Sequence, residues 1–170
     1  MRTLNTKEIS DCVYRLARKA GVTLTPACHA ALESAAAQET GAARFALETV
    51  LENERTAARE QMPVCQDTGM AVVLIELGQD VRLTGVPLKE AVDDGVRRAY
   101  ADGCFRKSIC DPLTRENTGD NTPAHLHLDM VAGETVRVTF LPKGFGSENM
   151  SRLVMLTPSQ GRKGIVDTIV

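Results

Sequence analysis

The sequence predicts an α/β fold: a helical section over about residues 1–62, then a mixed β-sheet with flanking helices over about residues 63–170, read as one domain whose chain is incomplete. Three observations point to it. Apolar residues recur at helical spacing through the first sixty positions. The run from Met70 to Ile75 is continuously apolar and rich in β-branched side chains, and the segments 125–130 and 136–140 alternate apolar with polar residues.

Ile9, Val13, Leu16, Ala17 and Ala20 form one stripe, with Gly21 as the stop signal. Thr25 before Pro26 reads as an N-cap with proline at the first helical position, opening an alanine-rich helix to about Gly41. Phe45, Leu47, Val50 and Leu51 mark a third helix that ends before Pro63, with Glu52, Glu54, Arg55, Arg59 and Glu60 on its solvated face. The strand at Met70–Leu77 suits burial on both faces. Pro87–Tyr100 is helical, with Leu88, Ala91, Val92, Val96 and Ala99 on one side, and 102–124 lacks periodicity.

Leu126, Leu128 and Met130 alternate with His125, His127 and Asp129. Beyond Ala132-Gly133, Val136, Val138 and Phe140 alternate with polar residues, so the two segments predict an antiparallel hairpin. Thr157-Pro158 opens a last helix bearing Ile165, Val166, Ile169 and Val170. The chain stops within that apolar stripe, which predicts that the natural protein continues.

Composition narrows the function classes. At 170 residues a chain hides about 70% of its unfolded surface, so a core forms without staples. Twenty basic and 22 acidic side chains give a net charge of −2 with both signs interspersed, which argues against a nucleic-acid partner. No apolar run approaches a membrane span, and the N-terminus lacks a signal-peptide core, so the expected location is cytoplasmic. Five cysteines, an odd and widely spaced set, suit reduced thiols or metal ligands rather than a disulfide framework. Cys12, Cys28, Cys104 and Cys110 read as packing residues.

Three polar loops, 64–69, 104–122 and 142–149, each adjoin a regular element that can present side chains to a shared cleft. In the first, the Cys65 thiol stands beside Gln66, Asp67 and Thr68, a mixture that suits a metal or cluster ligand flanked by substrate-holding groups. On composition alone a tight Asp-Thr-Gly turn with an incidental thiol is the favoured explanation. In the second, the planar guanidinium of Arg106 can grip a carboxylate with two parallel hydrogen bonds, with Lys107 and Arg115 nearby; a solvated surface charge is the plainer alternative. In the third, Lys143-Gly-Phe-Gly-Ser147 exposes backbone N–H groups that can cradle an anion, or is simply a turn. His125 and His127 share a strand face that ordinarily meets solvent.

Taken in order, Pro63-Val-Cys-Gln-Asp-Thr-Gly69, Asn117-Thr-Gly-Asp-Asn-Thr-Pro-Ala124 and Lys143-Gly-Phe-Gly-Ser-Glu-Asn149 resemble the N-terminal, alpha region of the class I, iron–sulfur fumarate hydratases; L-tartrate dehydratases share that region. The resemblance implies a [4Fe–4S] cluster held by three cysteines, with Cys65 matching the first ligand. It also implies substrate contacts from Gln66 and Asp67, with Asp67 the catalytic candidate, a carboxylate clamp at Arg106, a backbone N–H donor at Gly146 and added positive charge at Lys143. The family's other two cluster cysteines and its general base lie beyond residue 170, in the remaining alpha segment and a beta subunit or C-terminal domain. Phe145 stands where the family has glycine, narrowing the loop.

The implied activity is the reversible hydration of fumarate to L-malate by a homo- or hetero-oligomeric hydro-lyase. The Gly-Ser-Glu-Asn segment favours fumarate over the tartrate alternative. A non-catalytic relative acting as a binding or assembly subunit, and a redox protein using Cys104 and Cys110, are the rival readings.

Overall fold

The apolar run beginning at Met70 forms the centre of the sheet, and everything else is arranged about it. In the computed structural model, which describes residues 1–146 and 150–170, the elements are β1 (Arg2–Asn5), α1 (Thr6–Val22), α2 (Pro26–Gln38), α3 (Gly41–Glu60), β2 (Met70–Gly78), β3 (Val81–Thr84), α4 (Leu88–Asp102), β4 (His125–Val131), β5 (Val136–Lys143) and α5 (Gly161–Ile169). β1 and β3 pair in parallel as a two-stranded sheet. The larger sheet has the order β4-β2-β5, with β4 parallel and β5 antiparallel to β2.

This order overturns the expected hairpin, because β2 lies between the two alternating strands. A hairpin of β4 and β5 would leave β2, the most apolar strand, with an unpaired edge; as the centre it has ladder partners for its N–H and C=O groups on both sides. The Ala132–Thr135 turn instead crosses the end of β2. Gly78 N donates to Thr135 O at 2.8 Å, Gln79 N to Val131 O at 2.8 Å and Asp80 N to Gly133 O at 3.0 Å. A Cβ at Gly78 would strike the Gly133 carbonyl, so the crossing requires glycine there.

One sheet face makes the core. Ala71, Val73, Ile75 and Leu77 of β2 cluster with Phe140 of β5, with Val13 and Ala17 of α1, and with Val92, Val96, Ala99 and Tyr100 of α4. The opposite residues, Met70, Val72, Leu74 and Glu76, are only half-buried, so the expectation that β2 is covered on both faces is corrected: both packed helices lie with the first face. Val136, Val138 and Phe140 point inward as predicted. Leu126, Leu128 and Met130 share the core face by register with Val73, Ile75 and Leu77, but β4 is an edge strand, and Leu128 and Met130 stay exposed. His125 and His127 face solvent as expected.

The α4 stripe is the predicted one, and Gly95 lies within it. A Cβ there would sit 2.5 Å from the Ser10 carbonyl oxygen and 2.9 Å from Val13 Cβ, so glycine sets how closely α4 approaches α1. Polar contacts frame the same crossing: Ser10 Oγ donates to Asp94 at 2.6 Å, and Arg98 donates to Asp11 at 2.8 Å and to Asp94 at 3.0 Å. The Ser10 hydroxyl, with Arg98 beside it, holds the Asp94 carboxyl below the usual carboxylate range despite partial burial.

Several helix signals resolve differently from the reading of the sequence. Thr25 is the cap of α2, its hydroxyl accepting from Cys28 N at 3.2 Å, but the helix ends at Gln38. Gly21 does not end α1; it lies inside the helix, where a side chain would strike the ring of Phe105. Phe45 and Val50 of α3 are exposed, leaving Leu47 and Leu51 as its inward pair. Thr157 forms a capping box with Gln160 ahead of α5, whose Ile165, Val166 and Ile169 are exposed. All five cysteines are free, and Cys28 and Cys104 are exposed, which corrects their reading as packing residues.

Alanine is the better helix former, yet Gly95→Ala should lower stability by about 1–3 kcal/mol, because overpacking against a backbone carbonyl outweighs propensity. Denaturant unfolding of the two proteins measures it.

Candidate active site

Strand register brings the three polar loops together. Met70, at the start of β2, pairs with Lys143, at the end of β5, while β4 enters beside Val72. The loop before β2, the loop after β5 and the loop leading into β4 therefore meet at one end of the sheet.

Asp67 and Gly69 are the junction. Asp67 Oδ1 accepts from Gly69 N at 3.1 Å, and Oδ2 accepts from Phe145 N at 3.2 Å, tying the first loop to the third. Gly69 has φ +61°, and a Cβ there would strike the Lys143 carbonyl; a Cβ at Gly144 would lie 2.8 Å from Asp67 Oδ2. Close approach to backbone demands glycine at Gly69, while a side chain at Gly144 would press on the Asp67 carboxylate.

The second loop is bound to the first by buried polar groups. Thr68 Oγ1 donates to Arg106 O at 2.7 Å. The fully buried Asn121 donates through Nδ2 to Gly69 O at 3.1 Å, while its Oδ1 accepts from Ser108 N at 2.7 Å and Ile109 N at 3.3 Å. Tyr100 Oη donates to Thr68 O at 2.8 Å and to Gly69 O at 3.2 Å. Burial, with the Asp67 charge, raises the Tyr100 phenol well above its ordinary value, so it stays a donor.

Further along, Arg97 of α4 donates to Asp120 at 2.9 Å. Burial pushes the Asp120 carboxyl up, but hydrogen bonds from Thr122 and Arg97 outweigh it and hold the group at about 2.

Between these loops lies a cavity of about 420 Å³. Asp67, Arg106, Ser108 and Arg115 supply its polar wall, and Ile109, Cys110, Pro112 and Phe145 its apolar wall. Two arginines and one aspartate line it, and that carboxylate already accepts two backbone N–H bonds. The excess positive charge suits a small anion with some apolar carbon. Ser108 Oγ is buried with no hydrogen-bond partner, the one such side-chain atom among the described residues. Leaving it so costs about 1–3 kcal/mol.

Of the residues singled out by sequence, Asp67 and Arg106 line this cavity. Cys65 is exposed, its thiol donating to Gln66 Oε1 at 3.3 Å, and opens on a smaller cleft that Asp67 also lines. The Cys65 loop is anchored by Val64 N donating to Gly21 O at 3.0 Å and Asn53 Nδ2 donating to Val64 O at 2.8 Å. Lys143 Nζ donates to the Gly144 carbonyl at 2.7 Å and does not line the cavity. Gly146 is exposed. Ser147, Glu148 and Asn149, on which the fumarate preference rested, lie outside the described residues.

Among the described residues no three His, Cys, Asp or Glu side chains gather as a metal site. Cys65, an accessible thiol on an anchored loop, fits one corner of a cluster; the described residues do not supply the rest.

Sequence reasoning reads Thr68 as one of the groups flanking a ligand, whereas its hydroxyl bonds the Arg106 carbonyl, and it sets Asn121 within the 117–124 motif without a role of its own. The turn-forming run Asp120-Asn-Thr-Pro123 is the signal for Asn121, whereas Tyr100 and Ser108 give none as site residues.

Residues 10–170 match the family described as fumarate hydratase (Fumerase), and the chain belongs to it. Individual relatives agree. Over 170 aligned residues it is 34% identical to a Methanocaldococcus jannaschii protein named "Putative L(+)-tartrate dehydratase subunit alpha", covering 96% of this chain and 60% of the relative. It is 34% identical to the class I, anaerobic fumarate hydratase of Escherichia coli over 69% of this chain and 23% of the relative. It is 37% identical to fumarate hydratase 2 of Leishmania major over 67% of this chain and 20% of the relative. The chain thus spans about three fifths of the first relative and less than a quarter of the other two.

Asn121 joins the loops from a left-handed backbone conformation (φ +62°) that asparagine tolerates better than most residues. Asn121→Ala should cost about 2–4 kcal/mol, since it strands buried backbone groups. A fall in thermal midpoint checks it; an unchanged midpoint would contradict the loop assembly described.

Proposed function

We propose that this chain is the substrate-gripping part of an iron–sulfur hydro-lyase that interconverts fumarate and L-malate. The observation that supports it most is the joint placement of Asp67 and Arg106 on a net-positive cavity, in a chain that belongs to the fumarate hydratase family.

In this reading the Arg106 guanidinium grips one substrate carboxylate with two parallel hydrogen bonds. Asp67 is held by the backbone N–H groups of Gly69 and Phe145 and keeps its carboxylate at the cavity wall, where it accepts from the substrate hydroxyl. Gln66 contacts substrate on the Cys65 side, the Gly146 N–H reaches the dicarboxylate, and Lys143 adds positive charge. Cys65 is one ligand of a [4Fe–4S] cluster, which when bound supplies a Lewis-acidic iron for the departing hydroxyl. Fixed donors of this kind hold both carboxylates in line for elimination without reorganising.

The remaining cluster ligands and the general base come from further segments or a second subunit. The name of the Methanocaldococcus relative, a subunit alpha, supports a partner of that kind, and we place the protein in the cytoplasm as an oligomer. No helix among the described residues is long and apolar enough to cross a membrane.

That same relative favours a second reading, in which L-tartrate is the substrate, because the similarity to it covers 96% of the chain. Anaerobic assay of the complete, cluster-reconstituted protein on L-malate and on L-tartrate separates the two. Dominant turnover of L-malate supports the first reading and dominant turnover of L-tartrate the second, while inactivity on both removes the hydro-lyase assignment.

Arg106→Ala should lower kcat/KM by about 3 kcal/mol, roughly 150-fold, as loss of a charge-assisted bidentate contact requires. Wild-type kinetics in that variant would refute the clamp. Cys65→Ser should abolish the cluster's visible absorption while leaving the thermal midpoint of the cluster-free protein within about 1 °C, since the thiol is exposed.

A further inference from the structure

Ser108 lines the cavity, and its hydroxyl oxygen lies behind that wall, closed off from solvent and without a hydrogen-bond partner. Ser108 is fixed in place, because its own backbone N–H is held by Asn121 Oδ1 at 2.7 Å and Asn121 is bound in turn to the Gly69 carbonyl. Its hydroxyl oxygen is buried and unpartnered, and the residue lines the same cavity as Arg106 and Arg115. Buried hydroxyls are almost always hydrogen-bonded, and an exception calls for a specific reason, of which a functional role is one.

We propose that Ser108 is a specificity-determining substrate contact: its buried hydroxyl turns about χ1 into the cavity and donates to an oxygen of the carboxylate that Arg106 grips. This rests on the dicarboxylate reading above and extends it. A carboxylate held bidentately by a guanidinium keeps a free lone pair on each oxygen, and a hydroxyl two residues along the same loop can fill one of them. A site built this way discriminates against analogues lacking that oxygen, because the Ser108 hydroxyl is then left buried and unpaired.

The test is calorimetric titration of the complete protein with succinate, a four-carbon dicarboxylate with no hydroxyl to eliminate, together with thermal unfolding in its absence. Ser108→Ala should weaken succinate binding about tenfold or more while leaving the ligand-free thermal midpoint unchanged or higher, since an unpaired buried hydroxyl is removed. Ser108→Cys, nearly isosteric with a weaker donor, should fall between, and it serves if the alanine variant does not fold. Wild-type affinity in the folded variant, with a lowered midpoint, would show that the hydroxyl has a fixed partner within the fold and overturns the proposal. A wild-type protein that binds no succinate overturns this proposal and the dicarboxylate reading together. Equal binding by wild type and variant overturns this proposal alone.

Discussion

The candidate site depends on the peptide carbonyl of Gly69. It accepts from Asn121 and from the Tyr100 phenol, while the Cα of the same residue packs against the Lys143 backbone too closely for any side chain. One residue thus joins the loop carrying Cys65 and Asp67 to the loop carrying Arg106 and to the loop leaving β5. The donors lie in the interior, where a lost hydrogen bond costs the full desolvation of the group left behind. This concentration of buried polar contacts lets three irregular segments hold fixed positions without regular structure of their own.

Strand order explains why the junction can exist. Placing β2 between a parallel and an antiparallel neighbour brings the start of β2, the start of β4 and the end of β5 to one edge of the sheet. A simple β4–β5 hairpin with β2 outside would carry the Asp67 loop away from at least one of the others. Helices α1 and α4 cover only the face opposite Met70, Val72 and Leu74, and the crossing at Gly95 sets their depth. The α4 side chain that continues from this core into the site is Tyr100, so packing and site are mechanically connected.

Much of this was legible in the amino-acid sequence. Helical spacing located α1, α3 and α4, the Thr25-Pro26 pair marked the start of α2, and the sharp change at Pro63 marked where loops and sheet begin. The loops stood out because turn-forming and polar residues clustered beside apolar strands. Strand order was not legible, because alternation in 125–130 and 136–140 reveals which residues share a face but not which strand lies alongside. Gly21 misled for a related reason: a glycine near a helix end signals a stop, yet here it accommodates the Phe105 ring, a contact made across 84 positions. Cys65, Asp67 and Arg106 were singled out by residue type and by the resemblance of their loops to a family, whereas Ser108 needed coordinates, since only burial distinguishes it from any other loop serine.

Every proposed functional role requires that a four-carbon dicarboxylate sit in the cavity bordered by Asp67 and Arg106. A crystal structure of the complete protein with bound L-malate tests this most directly. It should show one malate carboxylate within about 3 Å of the Arg106 guanidinium nitrogens, on the Asp67 side of the loop junction. Malate density confined to another concavity, such as the one between the β1–α1 junction and α4 that Lys7 and Arg97 line, would contradict it.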